Sequence, residues 1–353
     1  MKKYIVFLFV IFLFPINSNA LTDTSKSSIV MDLESGRILY SKNPNDVRLI
    51  ASTTKIMTAI IALENSNIEK EVTVGDEVLK MYGTNIYVEV GEKMSIKNLL
   101  YGLLLRSGND ASVVIAKNVG NTEKEFVKMM NKKAKELNMK NTTFSNPHGL
   151  DDETKNYSTA YDMALLSSYA YKNKVYREIA STKKHEVSNG KKTYLWYNRN
   201  KLLSQYEYAT GGKNGYTPDA GKTLVTTASK DDLNLTIVTL NDSNPYENHK
   251  NLYTSIYDKY KKYTVIDKNN FKVDKNYFDG DLYIKKSFSY PLTEDEKDNV
   301  KTLVSITNEN KEKVGKITIY LDKEIIGTIP IYQKEKEKEE QSLLSKIKSL
   351  FTR

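Results

Sequence analysis

Ala51-Ser52-Thr53-Thr54-Lys55 opens a stretch that runs to Leu63 and is almost wholly apolar beyond the lysine. Such a run predicts a helix over 50–63 that is buried on most sides. Ser52 and Lys55 stand three apart, so on a helix they share a face one turn from each other and the amine can reach the hydroxyl. That contact matters because a hydroxyl attacks a carbonyl only when a base takes its proton. A solvated lysine titrates near ~10.4, and holding it neutral at pH 7 costs roughly 4–5 kcal/mol. Burial in an apolar helix lowers it, and the helix N-terminus adds a positive end where an oxyanion would develop. Alone, Ser-x-x-Lys is weak: it recurs at Ser181, Ser188 and Ser345, which read as surface coincidences.

Outward from that helix the pattern is mixed. Ser28–Asp32, the turn Glu34-Ser35-Gly36 and Arg37–Ser41 read as a hairpin. Ser95 is placed to cap a helix through Leu105, and Asp110 one through Val119. Thr122-Glu-Lys-Glu125 fits a capping box, followed by Phe126, Met129, Met130, Ala134 and Leu137 on one face. A further helix is expected over about 159–170. From about 183 strands take over. Asn189-Gly190 turns a hairpin between His185 and Trp196, and strands are expected over 210–216, 222–228 and 233–240. Leu252, Tyr253, Ile256, Tyr257 and Tyr260 recur at helical spacing. The whole predicts an α/β (α+β) fold in which helices cover a sheet. Beyond a Lys- and Asn-rich stretch at 263–271, only short strands are expected. Lys316–Leu321 and Ile325–Tyr332 answer each other across Asp322-Lys323, which predicts a small all-β domain.

Two short motifs share the chemistry of Ser52. Ser107-Gly108-Asn109 lies at the exit of a helix: the Ser107 hydroxyl can relay a proton to a leaving amine, and the Asn109 amide can hold a peptide group. Lys213-Asn214-Gly215 lies on a strand, where Lys213 offers charge to a carboxylate and Gly215 lets the backbone come close. Singly, each also reads as an ordinary turn.

Composition narrows the field. A length of 353 residues suggests about two domains. There is no cysteine, which excludes disulfides, thiolate metal sites and a cysteine nucleophile. His148, His185 and His249 are the only histidines and are widely spaced, so no metal site is expected; no other cofactor and no nucleic-acid partner are expected either. Lys2 and Lys3, the apolar run 4–14 and Ser18-Asn19-Ala20 read as a secretory signal peptide cut after Ala20, with an uncleaved anchor as the alternative. At the other end, Leu343, Leu344, Ile347, Leu350 and Phe351 fall on one helical face beside Lys346, Lys348 and Arg353. That suits a helix lying in a membrane interface, the alternatives being a solvated tail or a helix docked on the protein. The expected division is a leader 1–20, a catalytic domain 21–264, a β domain 265–333, and a charged linker with the terminal helix over 334–353.

Together the three motifs resemble the Ser-x-x-Lys, Ser-x-Asn and Lys-Thr-Gly set of penicillin-binding proteins and class A β-lactamases. Ile50–Ala59, Leu105–Ala111, Phe144–Asp151, Tyr157–Ala164 and Ala220-Gly221 are similar to patterns of the low-molecular-weight D-alanyl-D-alanine carboxypeptidases, the S11 serine peptidase family. The class A β-lactamases also need Glu-x-x-Leu-Asn, and the nearest stretch, ending Leu137-Asn138, has Ala134 in place of the Glu. The resemblance implies a serine DD-peptidase/β-lactamase-like domain with an antiparallel sheet and a helical region. It implies Ser52 as nucleophile, Lys55 as base and Ser107 as proton relay. Asn109, Lys213, Asn214 and Gly215 would bind substrate, with the backbone N–H groups of Ser52 and Tyr216 as oxyanion hole. The implied substrates are peptidoglycan stem peptides ending in D-Ala-D-Ala, with β-lactams as acylating mimics. The implied site of action is the outer face of the cytoplasmic membrane or the cell wall, reached by export and held peripherally. One position departs: the family has Thr or Ser where Asn214 stands, so a weakly active or inactive wall-binding or penicillin-binding protein is the alternative.

Overall fold

The structure is a computed structural model, and it describes residues 22–190, 192–273, 281–307 and 313–334. The expected leader and terminal helix lie outside these residues.

Five antiparallel strands form the central sheet, in the order Ile38–Lys42, Ser25–Asp32, Leu233–Asp242, Gly221–Lys230 and Ala209–Thr217. The first and last parts of the catalytic region thus meet side by side in the sheet. Side chains alternate across a strand, and both faces here are covered. Ile29, Met31, Val238 and Leu240 face the large helical core, while Val30, Leu235 and Ile237 face Leu252, Tyr253 and Ile256 of the helix Pro245–Lys259. Each such side chain stabilises by about 1.5–3 kcal/mol on full burial, so a three-residue run like Ile29-Val30-Met31 marks a strand sandwiched between layers.

The helical layer contains Lys55–Asn65, Asn109–Gly120, Glu123–Glu136, Ala160–Lys172 and Lys174–Ser181. In the first of these every residue from Lys55 to Ala62 is buried, as the apolar run required. Thr122 caps its helix by accepting from Glu125 N–H at 3.1 Å, and Thr159 caps another by accepting from Asp162 N–H at 3.0 Å. The helix Lys174–Ser181 was not expected. Its buried face is only Tyr176, Ile179 and Ala180, and its clearest mark is the Asn173 cap onto Val175 and Tyr176.

Among the described residues the C-terminal region is all-β apart from one turn, Glu294–Lys297, closed by a capping box on Thr293. Four strands order as Leu282–Tyr283, Glu324–Gln333, Lys313–Leu321 and Val300–Ile306. Lys261–Ile266 spans residue 264 and pairs with Phe288–Leu292. Arg37 reaches across from the catalytic sheet: its guanidinium meets Glu296 at 2.5 Å, also donates to the Pro291 oxygen, and lies over the rings of Tyr260 and Tyr290.

Candidate active site

The chain enters the buried helix through a 3-10 turn, Ala51–Thr54, after Ala51 at φ +45°. The left-handed region costs a non-glycine residue roughly 1–2 kcal/mol, and local bonds hold it. The Ile50 oxygen accepts from Thr53 N–H (3.2 Å), the Thr53 hydroxyl (2.5 Å) and the Thr223 hydroxyl (3.1 Å), which ties the turn to the sheet.

Lys55 is wholly buried. Its Nζ lies 3.0 Å from Ser52 Oγ, 2.7 Å from Asn109 Oδ1 and 2.5 Å from the His148 oxygen. A neutral amine has two N–H groups and one lone pair. The two carbonyl oxygens take the N–H groups, and the lone pair is left for the Ser52 hydroxyl. Burial pushes Lys55 well below its usual value and the charge of Lys213 pushes the same way, with Asp110 opposing. The arrangement favours a base over an ammonium.

Asp110 corrects one expectation. It is the second residue of its helix, behind Gly108 as N-cap, and its carboxylate points back to accept from the N–H groups of Ile86, Tyr87, Val88 and Ala111. It thereby anchors the loop that faces Asn109.

The helix expected through Leu105 is α-helical only to Tyr101; Gly102–Arg106 form a π turn. Ser107 follows in the left-handed conformation, φ 68° and ψ 36°, and both Ser107 and Gly108 N–H return to the Gly102 oxygen. A π turn next to a residue in αL is a common way of presenting a functional side chain. Asn109, next along, donates through Nδ2 to the Tyr82 oxygen at 2.7 Å while its Oδ1 holds Lys55. That bond fixes where Ser107, two residues earlier, stands relative to the lysine.

On the edge strand Ala209–Thr217, Lys213 is 1% exposed and donates to the Asn214 oxygen at 2.7 Å, with Asn214 Oδ1 at 3.5 Å. Burial, reinforced by the charge of Arg199, pushes Lys213 down to about 7. A Cβ on Gly215 would stand 2.8 Å from Ser52 N, so only glycine lets this strand lie against the Ser52 turn. The Tyr216 side chain is exposed.

The model for D-alanyl-D-alanine carboxypeptidase, the Peptidase_S11 family, matches residues 16–244. The chain belongs to this family. It is accordingly a hydrolase with D-alanyl-D-alanine carboxypeptidase activity, and residues 254–339 match the C-terminal domain of penicillin-binding protein 5. The chain is 31% identical to the D-alanyl-D-alanine carboxypeptidase DacF of Bacillus subtilis (strain 168), over 90% of this chain and 87% of that one. It is 34% identical to the D-alanyl-D-alanine carboxypeptidase of Streptomyces sp. (strain K15), over 57% and 75%. Penicillin-binding protein 6B from Escherichia coli has a similar structure, with TM-score 0.71 and 25% identity over 90% of this chain and 97% of that one.

In this carboxypeptidase the segment Phe144–Asp151, seen in the sequence only as a pattern, frames the lysine. Asn146 Oδ1 accepts from His148 and Gly149 N–H, and Asn156 Nδ2 bridges the Asn146 oxygen to Thr54 Oγ1. Thr58 donates to the Pro147 oxygen at 2.6 Å. Gly149 has φ +88°, and a Cβ there would overlap the Ala51 carbonyl. The His148 ring accepts from Leu150 N–H at 3.1 Å, so it orders its own loop while its carbonyl serves Lys55. No side-chain signature announces a backbone acceptor, which is why this part of the site was missed. A separate cavity of about 660 Å³, lined by Glu89, Glu92, Asn98 and Lys192 among others, contains none of these residues. Among the described residues no group of three or more His, Cys, Asp or Glu is placed to hold a metal ion.

Proposed function

We propose that the enzyme removes the terminal D-Ala from peptidoglycan stem pentapeptides through an acyl-enzyme on Ser52. Lys55 takes the Ser52 proton as Oγ attacks the penultimate D-Ala carbonyl. The oxyanion is held by the N–H groups of Ser52 and Tyr216. The C–N bond breaks, Ser107 passes a proton to the leaving amine, and free D-Ala departs. Water then hydrolyses the ester. Asn109 binds the substrate backbone, and Lys213 attracts the terminal carboxylate, beside Asn214 and Gly215. β-Lactams mimic the same peptide, acylate Ser52 and leave slowly.

The observation that carries this reading is the three-way placement of Lys55 Nζ between Ser52 Oγ, Asn109 Oδ1 and the His148 oxygen. The approach of Gly215 to the Ser52 amide supports the oxyanion hole. A weakly active or inactive penicillin-binding protein is the second reading. It is favoured by Asn214, whose larger amide side chain stands where the family has a small hydroxyl, with Oδ1 3.5 Å from the Lys213 amine. Residues 21–264 carry the chemistry in this proposal, and residues 265–333 hold it away from the membrane. Export places the enzyme at the outer face of the cytoplasmic membrane or in the wall, with Ser342–Arg353 resting in the lipid interface.

Release of D-Ala from a pentapeptide by purified protein separates the readings, with labelled penicillin as a check on folding. Release that persists in Ser52→Ala sinks the proposed mechanism.

A further inference from the structure

Asp151 and Asp152 are neighbours in sequence, yet they bind two different segments of the site, here its two walls: the edge strand that carries Gly215 and the Tyr82 segment that holds Asn109. Asp151 is buried, and its carboxylate accepts from the Thr217 hydroxyl at 2.6 Å; Thr217 Oγ1 in turn accepts from Ala220 N–H at 3.0 Å. Thr217 ends the edge strand, two residues beyond Gly215, whose backbone lies against Ser52 N. Asp152 is exposed and accepts from the Tyr82 hydroxyl. Tyr82 belongs to the other wall, where its main-chain oxygen accepts from Asn109 Nδ2. A third tie, Lys155 to Asp219 at 3.3 Å, joins the same segment to the turn after the edge strand. Asn146 supports the segment from beneath by donating to the Leu150 oxygen and Thr154 Oγ1.

We propose that the segment Asp151–Lys155 is a strap that sets the separation of the two walls, with Asp151 and Thr217 positioning the oxyanion strand and Asp152 and Tyr82 positioning the substrate-binding wall. These are positioning residues; none touches the reacting atoms. The two ends of the strap load the kinetics differently. The Tyr82 wall carries Asn109, which would meet substrate through the whole reaction and whose Oδ1 also holds Lys55, so loosening it weakens binding and disturbs the base together. The Thr217 wall carries the strand of Gly215 and Tyr216, where oxyanion donors must lie within a few tenths of an ångström of their target, so loosening it slows the chemistry. The inference rests on the D-Ala-releasing activity proposed above.

The test is steady-state kinetics of D-Ala release for Tyr82→Phe, Asp152→Ala, Thr217→Val and Thr217→Ser in the full chain. Tyr82→Phe and Asp152→Ala should each raise KM about fivefold and lower kcat as well, and their double variant should do no more than either alone. Thr217→Val should lower kcat about tenfold with KM nearly unchanged, while Thr217→Ser, which keeps the hydroxyl, should behave as wild type. If Thr217→Val fails to fold, the Tyr82 and Asp152 variants decide alone. Wild-type kinetics in both of these, or additive effects in their double variant, overturns the strap. So does a KM that moves at the Thr217 end and stays at its wild-type value at the Tyr82 end. A wild-type enzyme that releases no D-Ala overturns the functional reading and the strap with it, which distinguishes the two failures.

Discussion

Lys55 donates to the main-chain oxygen of His148 at 2.5 Å while the imidazole of that same histidine is pushed down to about 3 by burial and by the charge of Lys55. The residue supplies a carbonyl to Lys55, while burial holds its own ring toward the neutral form. His148 should therefore contribute no inflection near the ordinary histidine value of ~6.5 to the pH profile of kcat/KM, where any inflection belongs to Lys213 at about 7. His148→Asn, if it folds, should leave the profile's shape unchanged. An acid limb near that value that disappears in the variant would show His148 titrating in the reaction.

Lys213 tests the electrostatics of the site through stability. Its folded value of about 7 lies below the ~10.4 of an unfolded chain. A depressed lysine binds fewer protons folded than unfolded between those limits, so stability rises with pH across the window. Below about 7 the cost of the buried charge is fully present. Lys213→Met should therefore have the higher thermal midpoint at pH 6, with the gap to wild type closing toward pH 10. A gap independent of pH would contradict the shift.

The same charge acts on Lys55. Removing it in Lys213→Met should move the rising limb of Ser52 acylation to higher pH, because one of the two influences lowering Lys55 is gone. Acylation by labelled penicillin as a function of pH measures this; a limb that stays in place means the lysines do not communicate.

Asp23 concerns the fold alone. Burial raises it, but hydrogen bonds from Ser25, Ser28 and Asn248 together bring it below the model-compound value of 3.8. A lowered carboxylate stabilises above its unfolded pKa and loses that contribution as pH falls through the folded one. Asp23→Ala should cost about 2 kcal/mol near neutrality by leaving these donors unpaired, with the difference from wild type shrinking below pH 3.8 in denaturant titrations. An equal cost at pH 2.5 and pH 7 would argue for packing instead.

Gly149 should tolerate no side chain. Its φ of +88° and the Ala51 carbonyl beside it predict that Gly149→Ala loses about 2 kcal/mol or more. Labelled penicillin should fail to acylate the variant even where circular dichroism reports a folded sheet. Full acylation would show that the loop can yield.

What the sequence revealed follows from how local each cause is. Ser52 and Lys55 were legible because three residues on a helix fix a distance, and the sheet strands because Ile29-Val30-Met31 and the run 233–240 are apolar on both faces. The Ser107 and Asn109 motif was legible, but the direction of Asn109 Oδ1 toward Lys55 depends on a neighbour 54 residues away. The Asp110 cap failed because four backbone N–H groups, three of them from a distant loop, compete for the same carboxylate. The carbonyl of His148 and the Asn146 and Asn156 bonds could not be read, since every residue has a carbonyl and only the folded loop selects this one.

The π turn at Gly102–Arg106 widens the helix by what amounts to one surplus residue before Ser107. An α-helix advances about 100° per residue, so deleting a single residue there would let the turn relax to regular helix and swing Ser107 around to another face. The reading frame of this short segment, more than the identity of its leucines, then decides which way the Ser107 side chain is presented. Among relatives of this chain, drift in length between Ser95 and Ser107 should be far rarer than drift in composition.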